Sequence, residues 1–252
     1  MSDTSAADKT LLVLDAALTN SRFTDVVDVT GLAKATVHRI TSTLVSHGFV
    51  ALADDGTYLP GPKALSLAGA ALERIDISAL AAPIIADLVA ATGCTVHVGA
   101  LNGDEVIYVA RRDSDKPYRM PSRVGKAIAL HSTGIGKAIL ATFDPAEFDR
   151  IVGHAGLPAR TPNTITGKAR LSREIAAVRK RGYAIDNEEN EPGIRCVAAG
   201  IKDHTGQTNF GISISTLTLE HTVDQVAAMA PQAIEAAARI SRALGHRNDA
   251  AN

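Results

Sequence analysis

Between Asn20 and Gly48 the chain has room for two short helices and almost nothing between them, and that economy constrains its fold more than any other feature. Upstream, Leu11, Leu14 and Leu18, with Ala17 beside them, form an apolar stripe at helical spacing, entered through Asp8, Lys9 and Thr10 and ended by Thr19-Asn20-Ser21. Thr24 is placed to cap a second helix that buries Val26, Val27 and Val29 and stops at Gly31. A third helix is predicted from about Ala33 to His47. It turns Val37, Ile40 and Leu44 inward at spacings of three and four, and leaves Lys34, Thr36, His38 and Arg39 outside. Past Gly48, Phe49 to Ala53 reads as a strand, Asp54-Asp55-Gly56 as a tight turn and Thr57-Tyr58-Leu59 as the returning strand. Three helices followed by a hairpin make a winged helix-turn-helix over residues 1–62, closed by Pro60-Gly61-Pro62.

A second pattern follows. Leu65, Ala68, Leu72 and Ile75 recur at helical spacing, so residues 63–77 read as a linking helix. From Ser78 the sequence predicts a helix to about Ala91, then strands Thr95 to Leu101 and Glu105 to Val109 around an Asn102-Gly103-Asp104 turn. Further helices are expected near Gly136 to Ala141, Pro145 to Val152 and Leu171 to Arg181. Strands are expected near Tyr183 to Ile185, Arg195 to Ile201 and Asn209 to Thr216, and one long final helix from Thr222 to Leu244. Helices interleaved with mostly antiparallel strands make residues 78–252 an α+β domain.

Composition removes several function classes. The apolar stretches Ala79 to Thr92 and Val226 to Ala238 are interrupted before the roughly 20 residues a bilayer span needs, so no membrane role is expected. The opening residues MSDTSAADKT lack the basic and apolar parts of a secretory leader, and the cytoplasm is the expected location. Two cysteines, Cys94 and Cys196, are too few for a disulfide framework and have no metal-ligand spacing; neither metal nor cofactor is expected. Net charge is -1, and residues 1–62 hold four basic side chains (Lys9, Arg22, Lys34, Arg39) against seven aspartates. Placement outweighs that total: Lys34, His38 and Arg39 fall together on one helix, and local charge governs phosphate contact.

A helix following a short glycine turn fits the major groove, about 12 Å wide. Lys34, Ala35, Thr36, His38 and Arg39 are therefore the candidate contacts to double-stranded DNA, Arg39 being suited either to a bidentate guanine contact or to a phosphate. A protein-binding winged helix is the alternative use of the same elements.

The runs Gly31 to Ile40, Leu44 to Val50 and Gly56 to Gly61 resemble the winged-helix signature of IclR-type bacterial transcriptional regulators. Leu130-His131-Ser132-Thr133-Gly134-Ile135-Gly136-Lys137-Ala138 is similar to that family's L-H-x-(S/T)-x-x-G-K-A element. Gly182 to Glu189 resembles G-Y-x-x-D-x-E-E, and Gly193 to Ala199 resembles G-x-x-C-x-A-A. The resemblance runs from about Leu11 to Leu244. It implies a DNA-binding regulator, repression by default, a GAF-like effector domain, and a homodimer or homotetramer that addresses a paired operator.

The residues themselves also point to a small-molecule site. Glycine at the turn into a helix near Gly134 lets a ligand approach free backbone N–H groups. Ser213 and Ser215, two apart on a strand, share a face. Cys196 lies on another strand and Asp186 just beyond a third, so the four can ring a polar cavity. By resemblance, Gly134, Ile135, Asp186, Cys196, Ser213 and Ser215 contact the effector, a small organic acid or related metabolite, between apolar walls of Met120, Ile128 and Ile194. Gly134 stands where the family often has alanine. His131 is open between ligand contact and a structural hydrogen bond. Arg111-Arg112, Arg179-Lys180-Arg181 and the acidic run after Asp186 are read as solvated. A cysteine hydrolase or redox sensor built on Cys196 is the rival reading; it lacks a nearby histidine in sequence, and the chain is not expected to be an enzyme.

Overall fold

The computed structural model describes residues 5–117 and 120–247. They form two compact units, one ending at Ile75 and the other starting at Asp76.

In the first unit, α1 (Ala6–Thr19) starts with a capping box in which Ser5 and Asp8 satisfy each other's backbone N–H. Its buried stripe is Val13, Ala16 and Ala17, while Leu11 is 63% exposed. Both stripes satisfy helical spacing, and the small alanines win because they let the neighbouring helices approach. α2 (Phe23–Thr30) begins two residues earlier than expected: Arg22 stands at the cap, Thr24 lies inside the first turn, and its hydroxyl donates to Asp25 rather than capping. Val26 is fully buried, Val27 partly, and Val29 points outward at 60% exposure. Gly31 closes the helix at φ 63°, a left-handed position where a side chain is strained. α3 (Lys34–Ser46) packs Val37, Ile40, Thr41 and Leu44 onto α1.

The wing pairs β1 (Val50–Leu52) with β2 (Tyr58–Pro60) in antiparallel register, Ala51 opposite Leu59. Asp55 accepts from the Thr57 N–H and hydroxyl across the turn. At the end of the wing, a Cβ on Gly61 would stand 2.2 Å from the Gly48 carbonyl oxygen, so only glycine passes there. α4 (Pro62–Leu72) follows, shorter than the 63–77 helix expected, and buries none of its residues. Its leucines Leu65, Leu67 and Leu72 are all exposed.

The second unit contains α5 (Ile77–Thr92), β3 (Thr95–Asn102), β4 (Glu105–Arg112), β5 (Ala127–Ala129), α6 (Gly134–Leu140), α7 (Pro145–Ala155) and α8 (Lys168–Arg181). After them come β6 (Ala184–Asn187), β7 (Ile194–Ile201), β8 (Phe210–Leu217), α9 (Val223–Ala228) and α10 (Ala230–Ala243). Six strands form one antiparallel sheet in the order β5-β4-β3-β8-β7-β6. The single last helix expected from Thr222 to Leu244 is broken at Met229, just before Pro231, whose ring lacks the N–H an uninterrupted helix needs.

Alternation along the strands divides the core. Val96, Val98, Val197, Ala199, Ile212 and Ile214 face α5 and α10, and bury one apolar layer. The opposite parity carries His97, Gly99, Cys196, Ala198, Gly200, Gly211, Ser213 and Ser215, which are small or polar. The small ones let α6 lie against the sheet: a Cβ on Gly211 would come within 2.8 Å of the Ile135 side chain. Ile135 itself is 1% exposed, a burial that contributes about 1.5–3 kcal/mol.

Three basic groups expected in solvent are instead used structurally. Arg111 pairs with Asp113 at 2.6 Å and donates to the Met120 carbonyl. Arg179 donates to the carbonyls of Ala141 and Phe143, and Arg181 binds Glu174 and lies over the Tyr183 ring. Within the acidic run, Glu189 is buried rather than solvated, at 8% exposure. The acceptors of Arg179 come from a distant part of the chain and have no local sequence signature, whereas Asp113 and Tyr183 stand two residues from the arginines they serve.

Candidate functional sites

In the first unit the outward face of α3 presents Lys34, Ala35, His38 and Arg39, all exposed. Thr36 sits at its edge, half-buried. Ser42 and Thr43, not among the sequence-derived contacts, continue the exposed face one turn further. His38 is held edge-on to Phe23 at 6.3 Å between ring centres, which fixes its position on α3 relative to α2. Ala33 caps α3 without a side-chain acceptor, so the first backbone N–H groups are left for an outside partner such as a phosphate.

In the second unit a cavity of about 490 Å³, counting its mouth, opens over the polar parity of the sheet. It brings together nine of the sequence-derived residues: Met120, Ile128, Gly134, Ile135, Asp186, Ile194, Cys196, Ser213 and Ser215. Strand register explains the convergence, because Cys196 lies directly opposite both Asp186 and Ser215, and Ser213 lies opposite His97. Asp186 belongs to β6 itself, not to the loop beyond it. His131 is not part of this cavity; its Nε2 lies 3.1 Å from the Pro158 carbonyl. The strand expected to lead into α6 ends at Ala129, and the turn from Leu130 to Ser132 carries His131 away.

One end of the cavity is the start of α6. Thr133 accepts from the Gly136 N–H at 3.1 Å while its own hydroxyl donates to the Ala129 carbonyl. That leaves the Gly134 and Ile135 N–H groups without an acceptor among the described residues. Gly136 permits the tight turn, since a Cβ there would stand 2.3 Å from the Leu130 carbonyl oxygen. A Cβ on Gly134 would meet that of Ala198 at 3.0 Å, so glycine here keeps the sheet relaxed where alanine would push Ala198 by a few tenths of an ångström.

The other end holds residues that sequence reasoning missed. His97 stacks on Tyr108 at 4.7 Å and lies 2.7 Å from the Ser122 hydroxyl and 3.3 Å from that of Ser215. Burial, helped by nearby Arg111, pushes the His97 pKa down to about 3, so the ring is neutral and can serve as donor on one nitrogen and acceptor on the other. Period-two alternation about β3 was the signal available: His97 has the parity opposite to Val96 and Val98. Asn190 and the Lys126–Glu191 ion pair also line the cavity.

Asp186 sets the electrostatics. Its Oδ1 accepts the Glu189 N–H at 2.8 Å, yet burial pushes its pKa up to about 7 against the lowering pull of Lys137. Lys137 is itself fully buried and pairs with Glu189. Burial and the neighbouring Asp186 also push the Cys196 thiol up, the opposite of what a nucleophilic cysteine needs. No group of three or more His, Cys, Asp or Glu side chains that could hold a metal occurs among the described residues. No single helix among them is long and apolar enough to cross a membrane.

Comparison with known proteins matches both units to one family. The IclR helix-turn-helix domain model matches residues 6–53, and the model for the bacterial transcriptional regulator IclR C-terminal domain matches residues 69–242. The HTH-type transcriptional regulator BhcR of Paracoccus denitrificans is 36% identical over 249 residues, covering 97% of this chain and 89% of that protein. The transcriptional repressor IclR of Escherichia coli is 30% identical, covering 88% and 82%. Among solved structures, a regulator of the same kind from Silicibacter sp. TM1040 superposes with a TM-score of 0.86 at 26% identity, covering 98% of each chain.

Proposed function

Because the chain belongs to the IclR family of DNA-binding transcriptional regulators, we propose that it is a repressor whose grip on an operator is set by a small organic acid or related metabolite. The observation that carries the effector half is the convergence of Gly134, Asp186, Cys196, Ser213 and Ser215 on one cavity beside unused backbone N–H groups. In this reading the Gly134 and Ile135 amides hold an anionic or carbonyl oxygen, and the Ser213 and Ser215 hydroxyls orient the rest. Asp186, carrying a proton or accepting from a ligand hydroxyl, excludes a second negative group. Met120, Ile128 and Ile194 supply the apolar walls.

Lys34, Ala35, Thr36, His38 and Arg39 are assigned to the operator, with the wing alongside. Repression is favoured by the relatives whose names carry it, including the transcriptional repressor IclR of Escherichia coli and the acetate operon repressor of Salmonella typhimurium. Assembly into a homodimer or homotetramer is favoured by the exposed leucines of α1 and α4, among them Leu11, Leu65 and Leu72, which cost free energy in water unless covered. Two recognition helices would then read a two-fold operator in the bacterial cytoplasm. The effector acts only by binding two arrangements of the DNA-binding units with different affinity. Residues 63–77 are the proposed transmitter between a DNA-binding unit at 1–62 and an effector unit at 78–252.

The deciding experiment is a mobility shift on the gene's own upstream region, at fixed salt, with a panel of small carboxylic acids and aldehydes. A specific shift altered by one compound supports the reading. A shift indifferent to every compound, and unchanged by cavity substitutions, removes the effector half; loss of all specific binding removes the operator half.

A further inference from the structure

His131 is 4% exposed and takes no part in the cavity assigned to the effector. Its ring instead lines a second cavity of about 460 Å³ counting the mouth, walled by Leu140, Ile151, Val152 and Leu157. Concave spaces lined mainly by apolar side chains with a few polar groups are where small ligands are held. The Pro158 carbonyl can only accept, so Nε2 of His131 donates to it, and a neutral ring then has no proton on Nδ1. Burial, the dominant influence, pushes the pKa of this ring down and keeps it neutral. Nδ1 therefore offers a lone pair, and it has no partner among the described residues. Arg160, exposed and without an ion-pair partner among the described residues, stands in the lining together with Asp104 and Glu105.

We propose that this cavity is a second ligand site, taking a neutral hydroxyl compound with a compact apolar body, a phenol or short alcohol, whose O–H donates to His131 Nδ1. The hydroxyl oxygen keeps lone pairs for the Arg160 guanidinium. A carboxylate is a poor occupant, since it would meet the Nδ1 lone pair and the Glu105 carboxylate, while Asp104 is already engaged by Arg150 and His154. A single residue, Ser132, separates His131 from Thr133, which lines the first cavity, so both spaces are bounded by one turn.

The test uses phenol as the probe, with the full chain carrying isotope-labelled Ile, Leu and Val methyl groups followed by NMR. Phenol at millimolar concentration is expected to shift the Leu140, Ile151 and Val152 signals in a saturable way. Ser213→Ala with Ser215→Ala should leave that titration unchanged, while His131→Phe weakens it about tenfold, the worth of one buried hydrogen bond. His131→Phe also releases the Pro158 carbonyl, so a second variant, Val152→Phe, fills the space from another wall and should abolish the shifts. Unmoved methyls, or shifts centred on Ile128 and Ile135 of the first cavity, overturn the proposal. So does equal phenol binding by His131→Phe.

Discussion

Lys137 and Glu189 form an ion pair in which the lysine has no solvent-exposed surface and one glutamate oxygen, Oε2, has no hydrogen-bond partner among the described residues. Breaking such a pair from one side leaves the other charge stranded, which costs about 3–5 kcal/mol, although the intact pair contributes far less to stability. Lys137→Met is accordingly expected to lose roughly that much in urea denaturation at pH 7. Burial already pushes the Glu189 pKa up, so the loss should shrink at pH 5, where the stranded carboxyl accepts a proton. Adding Glu189→Gln should recover part of it; a Lys137→Met protein as stable as the parent would mean that the pair is spread apart in solution.

Asp186 gives a pH dependence of definite sign. Its folded pKa, about 7, lies above the unfolded value of 3.8, so between those values the folded state holds more protons than the unfolded one. Stability from this group is complete below about pH 4 and declines as pH rises to about 7. Asp186→Asn keeps an acceptor for the Glu189 N–H and should flatten that decline, gaining most over the parent at pH 8. A small anionic effector should likewise bind more weakly as pH rises through 7, and the asparagine variant should lose this dependence. Calorimetric titration at pH 6 and 8 checks it, and equal affinities in the parent would refute it.

Ser213→Ala with Ser215→Ala should leave operator affinity intact and abolish the response to the effector. The mobility shift with and without the active compound reads both quantities at once. A double variant that still responds takes these hydroxyls out of the site.

Arg39→Ala should cost about 1–3 kcal/mol of specific operator binding if the guanidinium reads a base. Discrimination against a mutated operator then drops with affinity. A phosphate contact would instead weaken all sequences alike and lower the salt dependence by about one counterion. Unchanged operator affinity removes Arg39 from the interface.

Much of this was legible from the chain alone because its strong signals are periodic and local. Val37, Ile40 and Leu44 fix the buried side of α3, and with it the outward side of Lys34, His38 and Arg39. Ser213 and Ser215 share a face by strand geometry. What escaped depends on pairing between distant segments. His97 reaches the cavity through the register of β3 against β8, and Arg179 finds its acceptors in the carbonyls of Ala141 and Phe143. His131, open in the sequence between a ligand contact and a structural hydrogen bond, lies outside the first cavity because a turn of a few residues decides which of two spaces its ring enters. On α1, Leu11 and Val13 serve two equally periodic faces, and only the shape of the neighbours chooses between them.

All seven residues of α6 are buried, and the glycines beneath it leave no gap into which it can settle. Such a helix is a fixed jamb rather than a hinge. A part of the lining with more freedom to move is the Lys126–Glu191 ion pair, whose side chains keep about a third of their surface in solvent. Salt that loosens this latch should speed both entry and escape, making the sensor's response time, more than its affinity, a function of ionic strength.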